Sequence, residues 1–464
     1  MRNFADDYDP PLATDRAYEG RQGQEDKYGR RPFEKDKDRI LYSSAFRRLA
    51  GVTQTSAVNE RRLLHNRLTH SLKVAQIGKR IANRLSRQDP QSAREIGLDA
   101  DIVEAAGLSH DLGHPPFGHT AEKVLNSLLE GHGGFEGNAQ TFRILTKLSV
   151  RRRPKARGLD LTRAMLNGVL KYPQKRDEEE DGQEAVPWTD RSVGRKWGAY
   201  ETEADDLEFA RRGSTGKIRH ANAIVMDWAD DIAFATHDLD DYFRAGMIPM
   251  QSISRDVGAI MGHAARRLHD YPEFNTDELS NAFDRVAKGY PGGPFTGTRT
   301  DRYEIHHFIS NVIKRCVDHV SMGTGTPQIT IDPDVQYEVE VLKELTWFYV
   351  IESPSLATLQ EGQRRLIADL YWMLNNWLNT ADKRTVAPGM TVQVDRSPSF
   401  RTPAALESLT RGLDEDLSAN SMRRETKRAR AVCDYICTLT EDQAFDMHER
   451  FTGTYRGSLF GAWF

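Results

Sequence analysis

Apolar residues recur along most of this chain at three- and four-residue steps, the period of a helix with one face in a core. The clearest stretch is 66–86, NRLTHSLKVAQIGKRIANRLS, where Leu68, Leu72, Ala75, Ile77, Ile81 and Leu85 mark the apolar side and His70 interrupts it. Upstream, 34–50 carries Ile40, Leu41, Ala45, Phe46 and Leu49 at helical spacing. It ends in Arg47 and Arg48, read as a solvated pair that complements a helix C-terminus. Further helices are expected over 99–109, 118–130 and 135–149, and over LTRAMLNGVLKYP, which Pro173 terminates. Residues 217–243 predict a long helix in which Asp227, Asp230, Phe234, Asp238 and Asp241 share one broad face beside Ile224 and Ile232. Two long helices are expected over 335–379 and two or three more over 404–451. Val and Thr in GVTQTSAV suit a short strand or extended loop. No strand pattern is sustained, so the expected fold class is all-α with few short strands.

Composition shifts divide the chain into a polar arm over 1–33, ordered only where it docks, a core over 34–243 and a helical C-terminal region over 244–464. The core carries a charged insertion around 174–200 that is expected to be exposed. Charged residues make up 28% of the 464 positions and the formal net charge is -4, which gives no global signature of nucleic-acid binding. No apolar run is long enough to span a bilayer. The start, MRNFADDYDPPLATD, lacks the basic-then-apolar pattern of a secretory signal. Cys316, Cys433 and Cys437 make no disulfide framework, and the last two sit at helical spacing as packed residues. The expected location is the cytoplasm. Arginines at 151–157 and 423–431 read as solvated helix faces.

The chemistry concentrates in GLSHDLGHPPFGHTAE at 107–122. His110, Asp111, His114 and His119 all bind metals or move protons, and Glu122 follows His119 by about one helical turn. Glycines and prolines make the stretch a helix end, a tight turn and a new helix start. An adjacent His-Asp pair at a helix end aims an imidazole and a carboxylate at one point, which suits a divalent cation accepting nitrogen and oxygen. Carboxylates on a partly inward helix face are costly unless paired or metal-bound, which singles out Asp230 as a further ligand. His70, on the apolar side of its helix, is another candidate.

Taken in succession, NRLTHSLKVAQ, HDLGHPPFGHTAE, GGFEGNAQTFRIL, LTRAMLNGVLKYP and DWADDIAFATHDLDD resemble the motifs of the HD-domain deoxynucleoside triphosphate triphosphohydrolases, the dGTPase-like family. They cover roughly 34–243, and MHERFTGTYRGSLF is similar to the family's last helix. The resemblance implies an HD-domain helical fold with a helical C-terminal extension. It implies four metal ligands, His70, His110, Asp111 and Asp230, around Mn²⁺, Mg²⁺, Fe or Zn²⁺. It also implies catalytic roles for His119 as base or proton shuttle, for Glu122 as its orienter and for His114 near the phosphates. Substrate contacts would come from Gln54, Arg67, Lys171, Tyr172, Phe234 and Asp238. Two positions depart from the family: Phe234 stands where members usually have a tyrosine that stacks on deoxyribose, and Val52 where a lysine is common. The implied reaction turns a dNTP, usually dGTP, into deoxynucleoside and inorganic triphosphate. The implied partners are further copies of the chain (a hexamer or tetramer), a nucleotide activator or single-stranded nucleic acid, and no membrane. Two alternatives stay open. One is an HD phosphohydrolase of nucleoside monophosphates or signalling nucleotides; the other is a regulatory nucleotide or single-stranded nucleic-acid binder.

Overall fold

The computed structural model describes residues 13–17, 29–54, 65–150, 158–176, 196–214, 216–269, 271, 274–323, 325, 328–378, 383–387, 390–393, 403–416, 419–420 and 422–457. Its helices run in chain order as α1 (Pro32–Leu41), α2 (Ser44–Arg48), α3 (Arg67–Gln88), α4 (Pro90–Glu95), α5 (Ala100–Ser109) and α6 (Gly118–Leu128). There follow α7 (Gly137–Arg143), α8 (Arg163–Val169), α9 (Ala204–Arg211), α10 (Ala221–Arg244), α11 (Ile253–Arg267) and α12 (Thr276–Ala287). The chain continues through α13 (Arg299–Asp318), α14 (Pro333–Thr346), α15 (Pro354–Leu378), α16 (Ala404–Glu415), α17 (Arg424–Ile436) and α18 (Glu441–Thr452). The strands among the described residues form two antiparallel hairpins, β1 (Val320–Met322) with β2 (Ile329–Ile331) and β3 (Lys383–Ala387) with β4 (Met390–Gln393). The all-α expectation holds.

Local chemistry explains the helix boundaries. Asn66 caps α3 by accepting the Thr69 N–H, while the Thr69 hydroxyl accepts the Asn66 N–H in return. The 34–50 stretch is two helices rather than one, because Ser43 accepts the Phe46 N–H and starts α2 afresh. The 135–149 stretch is α7 followed by a single wide turn over Ile144–Leu148. Of GVTQTSAV, the described part is a tight turn and an isolated bridge between Thr53 and Asn66.

Three apolar clusters hold the helices. In the first, Val74, Ile77 and Ile81 of α3 pack with Trp228, Ile232 and Leu239 of α10 and with α11–α14. The second joins Ile40, Ile102, Leu112, Leu145 and Met165, and it takes Ala75 from α3 and Met226 from α10. The third gathers Phe117 and Leu125 with Leu366 and Leu370 of α15, Leu406 of α16 and Val432 of α17. The loop from Leu112 to Phe117 therefore crosses from the second cluster to the third. Two glycines permit the close approaches beside it. A Cβ at Gly107 would sit 2.8 Å from the Ala75 backbone, and one at Gly113 would sit 2.2 Å from Gly137 O. α3 and α5 can thus lie nearly in backbone contact.

Several polar expectations change. Arg48 is buried, not solvated: its Nε donates to Leu439 O at 2.8 Å and its Nη2 to His114 O at 2.7 Å. Arg430 is also buried, with its guanidinium 3.7 Å from the Tyr200 ring centroid and Nη2 donating to Gly134 O at 2.8 Å. In both, carbonyl acceptors offset the cost of desolvating the charge. The 151–157 arginines lie outside the described residues. The exposed-insertion expectation fails at its end, where Trp197 and Tyr200 are buried with Ala139, while 177–195 lie outside the described residues. In the N-terminal arm, Arg16 docks by a buried 2.6 Å ion pair to Asp36. The cysteines are free and buried, as expected of packed residues.

Candidate metal centre

Three helices converge on one point. α3 supplies His70, the end of α5 supplies His110 and Asp111, and α10 supplies Asp230. His70 Nε2 lies 2.8 Å from Asp230 Oδ1, and His110 Nε2 lies 3.5 Å from both Asp230 Oδ1 and Asp111 Oδ2. One ligand atom each from His70, His110 and Asp230 lies within 4.8 Å of the others. Asp111 sits at the edge of this group. Its Oδ2 meets Arg67 Nη1 at 2.8 Å and its Oδ1 meets His114 Nδ1 at 3.0 Å.

The donor set fits a divalent cation on a specific observation. His110 Nδ1 lies 2.8 Å from Gly107 O, an acceptor only, so Nδ1 bears a proton and Nε2 is the nitrogen left to take a proton or a metal ion. That buried Nε2 has no hydrogen-bond partner among the described residues and faces two carboxylate oxygens. A nitrogen facing two carboxylates needs a cation between them, which is a proton in the metal-free protein and a metal ion when one is bound. Without a metal, burial favours the neutral ring, but Asp111 and Asp230 outweigh it and hold His110 up to about 9. Burial likewise works against both carboxylates. Arg67 and His110 overcome it at Asp111, and His110 and His70 at Asp230, so both stay well below the usual range. The result is two imidazoles and two anionic oxygen donors, a set open to several divalent metals.

A second group lies alongside. Phe117 precedes α6 as its N-cap, and its φ of 67° makes the turn that swings the chain back. His119 Nδ1 then meets Glu122 Oε2 at 2.8 Å, as the three-residue spacing predicts. The His119 side chain is 66% exposed, whereas Glu122 is buried. Glu122 Oε1 accepts the Gly137 N–H at 3.0 Å and lies 3.4 Å from Lys196 Nζ. His114 stands between the groups, with Nδ1 toward Asp111 and Nε2 4.0 Å from Glu122 Oε2. Burial, with Arg67 adding to it, pushes His114 down to about 4, so the ring is neutral at physiological pH.

The other candidates fall around these groups to different degrees. Arg67 is buried, and its Nε and Nη2 have no hydrogen-bond partner among the described residues. Lys171 Nζ lies 2.5 Å from Asp227 Oδ1 and 4.0 Å from Asp230 Oδ2, with the Tyr172 ring centroid 5.9 Å away. Gln54 is half-buried, and its Oε1 has no hydrogen-bond partner among the described residues. Phe234, half-buried, and Asp238, buried, follow Asp230 by one and two turns of α10. Val52 is wholly buried, so the position where a lysine is common belongs here to the interior.

Sequence reasoning misses Lys196, His65, His237 and Glu441. His65 Nδ1 lies 2.8 Å from Asp241 Oδ1, and its ring stacks on His237 at 4.1 Å. His237 in turn meets the His70 ring edge-on at 5.9 Å. His237 lies two turns from Asp230 on the same helix face, a signal the α10 pattern already contains. Glu441 accepts the Thr53 N–H at 2.8 Å and the Phe117 N–H at 3.1 Å, tying α18 to the site loop. No local pattern reveals that contact.

An HD domain model matches residues 67–235, which contain the full His70, His110, Asp111 and Asp230 set, and a phosphohydrolase-associated domain model matches 403–450. A deoxyguanosinetriphosphate triphosphohydrolase-like protein of Streptomyces coelicolor is 33% identical, over 96% of this chain and 98% of its own length. The chain belongs to the HD-domain, deoxyguanosinetriphosphate triphosphohydrolase-like family. A family member from Corynebacterium diphtheriae is 34% identical over 74% of this chain and 79% of its own. Another, from Shewanella sediminis, is 29% identical over 93% and 94%. Within this HD phosphohydrolase family, the His-Asp cluster between α3, α5 and α10 is a group able to hold a divalent metal. No helix among the described residues is long and apolar enough to cross a membrane.

Proposed function

We propose that this protein hydrolyses deoxynucleoside triphosphates, dGTP foremost, to deoxynucleoside and inorganic triphosphate. One observation carries the reading: His110 Nε2 faces two carboxylates, and buried, neutral His114 reaches from Asp111 toward Glu122, whose partner His119 is exposed to solvent. A divalent cation held by His70, His110, Asp111 and Asp230 would supply Lewis-acid charge at the α-phosphate and a site for the attacking water. The water oxygen bonds to the α-phosphorus, the bond from phosphorus to the 5′-oxygen breaks, and that oxygen takes up a proton. His119 carries the proton, since it reaches solvent while Glu122 fixes its tautomer and orientation. Arg67 and Lys171 bring positive charge to the phosphates, shared with Asp111 and Asp227. Tyr172, Gln54 and Asp238 meet the sugar and base. Phe234 keeps an apolar platform for the sugar without a hydroxyl, so rejection of GTP is expected to be weaker than with tyrosine.

The test is metal-dependent turnover of the four dNTPs and GTP in ¹⁸O-labelled water. The expected products are unlabelled deoxynucleoside and labelled triphosphate. Release of pyrophosphate or monophosphate, or label in the nucleoside, would refute the reaction. Preference for a monophosphate or a signalling nucleotide in the same screen would favour the other HD chemistry.

A further inference from the structure

Behind the exposed imidazole the charged groups run in a line. His119 Nδ1 meets Glu122 Oε2 at 2.8 Å, and Glu122 Oε1 lies 3.4 Å from Lys196 Nζ. Lys196 Nζ donates to Glu136 Oε1 at 3.0 Å. Glu136 is itself fixed, because its Oε2 caps α7 by accepting the N–H groups of Asn138 at 2.5 Å and Ala139 at 3.0 Å. The Tyr200 hydroxyl donates to the Glu136 carbonyl at 3.2 Å, which secures the backbone as well. The Glu122 and Glu136 side chains are only 9% and 3% exposed. Two carboxylates this deep repel each other, and each would take up a proton unless a cation offsets the charge.

We infer that Lys196 is a positioning residue for proton transfer: anchored on Glu136, its ammonium holds Glu122 turned toward His119. The inference rests on the reading of His119 and Glu122 as the proton-carrying pair. The groups facing Glu122 are His119 from its own helix, His114 from the preceding loop, and Lys196 and Glu136 from beyond α6. Burial pushes the Glu122 carboxyl up, but Lys196, ahead of His119 and His114, pulls it well below the usual range. Burial raises Glu136, with Lys196 opposing and Glu122 adding to the rise. Glu122 is therefore the lasting anion of the two.

The experiment compares wild type with Lys196→Met and Lys196→Arg. Methionine is expected to lower kcat about 30-fold with KM within about twofold, and arginine to restore most of it. Removing the cation raises Glu122, so the acid limb of the kcat/KM profile should move up by about one pH unit. A second readout needs no turnover. Carbon NMR of the Glu122 side chain should show its midpoint rising by a similar amount in Lys196→Met, at unchanged metal affinity. If methionine does not fold, Lys196→Gln is read in the same way. An unchanged Glu122 midpoint, or a raised KM at wild-type kcat, would overturn the inference. Wild-type protein inactive on every nucleotide would instead refute the proposed reaction and leave the NMR result to decide the role of Lys196.

Discussion

The two histidine clusters are built in opposite ways. His70 and Asp230 come from helices 160 residues apart in sequence, yet their side chains meet at 2.8 Å with His70 fully buried. His119 and Glu122 sit three residues apart on one helix, and the imidazole stands in solvent. The first arrangement suits an ion, because packed helices hold the donors rigidly and Gly107 O sets the tautomer of His110. The second suits a proton, because the ring must exchange with solvent while a buried carboxylate aims it. His114, buried and neutral, stands between them, with Nδ1 3.0 Å from Asp111 Oδ1 and Nε2 4.0 Å from Glu122 Oε2.

That contrast can be broken by substitution. The largest effect is expected from His110→Ala, which removes a central donor. Metal binding should be lost and turnover should fall on the order of a thousandfold or more. Metal-dependent turnover at wild-type rate would dissolve the distinction. Glu122→Gln should act on the other cluster alone, lowering kcat about a hundredfold while metal affinity stays as in wild type. Loss of metal from this variant would show that the clusters are one unit.

A smaller effect sharpens the comparison through pH. In the metal-free protein His110 holds its proton up to about 9, so an entering cation must displace it. Below that value binding releases a proton, and metal affinity should rise with pH by up to about tenfold per unit between pH 6 and 8. Calorimetry in buffers of different ionisation enthalpy would report about one proton released per ion. Binding independent of both pH and buffer would contradict the orphaned nitrogen as the docking point.

Much of the site is readable from the chain because its helices declare their inward faces. His70 breaks an apolar stripe, the acids of α10 recur beside Ile224 and Ile232, and the His119–Glu122 spacing is a local helical pair. The supporting contacts are not readable in this way. Arg48 reaches Leu439, Arg143 pairs with Asp434 at 2.8 Å and Glu203 at 2.6 Å, and Glu441 holds Thr53 and Phe117. Each is a buried polar or charged group whose partner lies far along the sequence, and periodicity alone reads such groups as surface. Lys196 is hidden for the same reason. It lies within the charged insertion, and its meaning appears only when Glu122 and Glu136 close on it.

The most direct test counts metal. Purified protein stripped with chelator and reloaded with Mn²⁺ should bind one tight ion per chain, and Asp230→Ala should bind none at the same concentration. Full occupancy in Asp230→Ala would contradict the convergence of α3, α5 and α10 on a single ion.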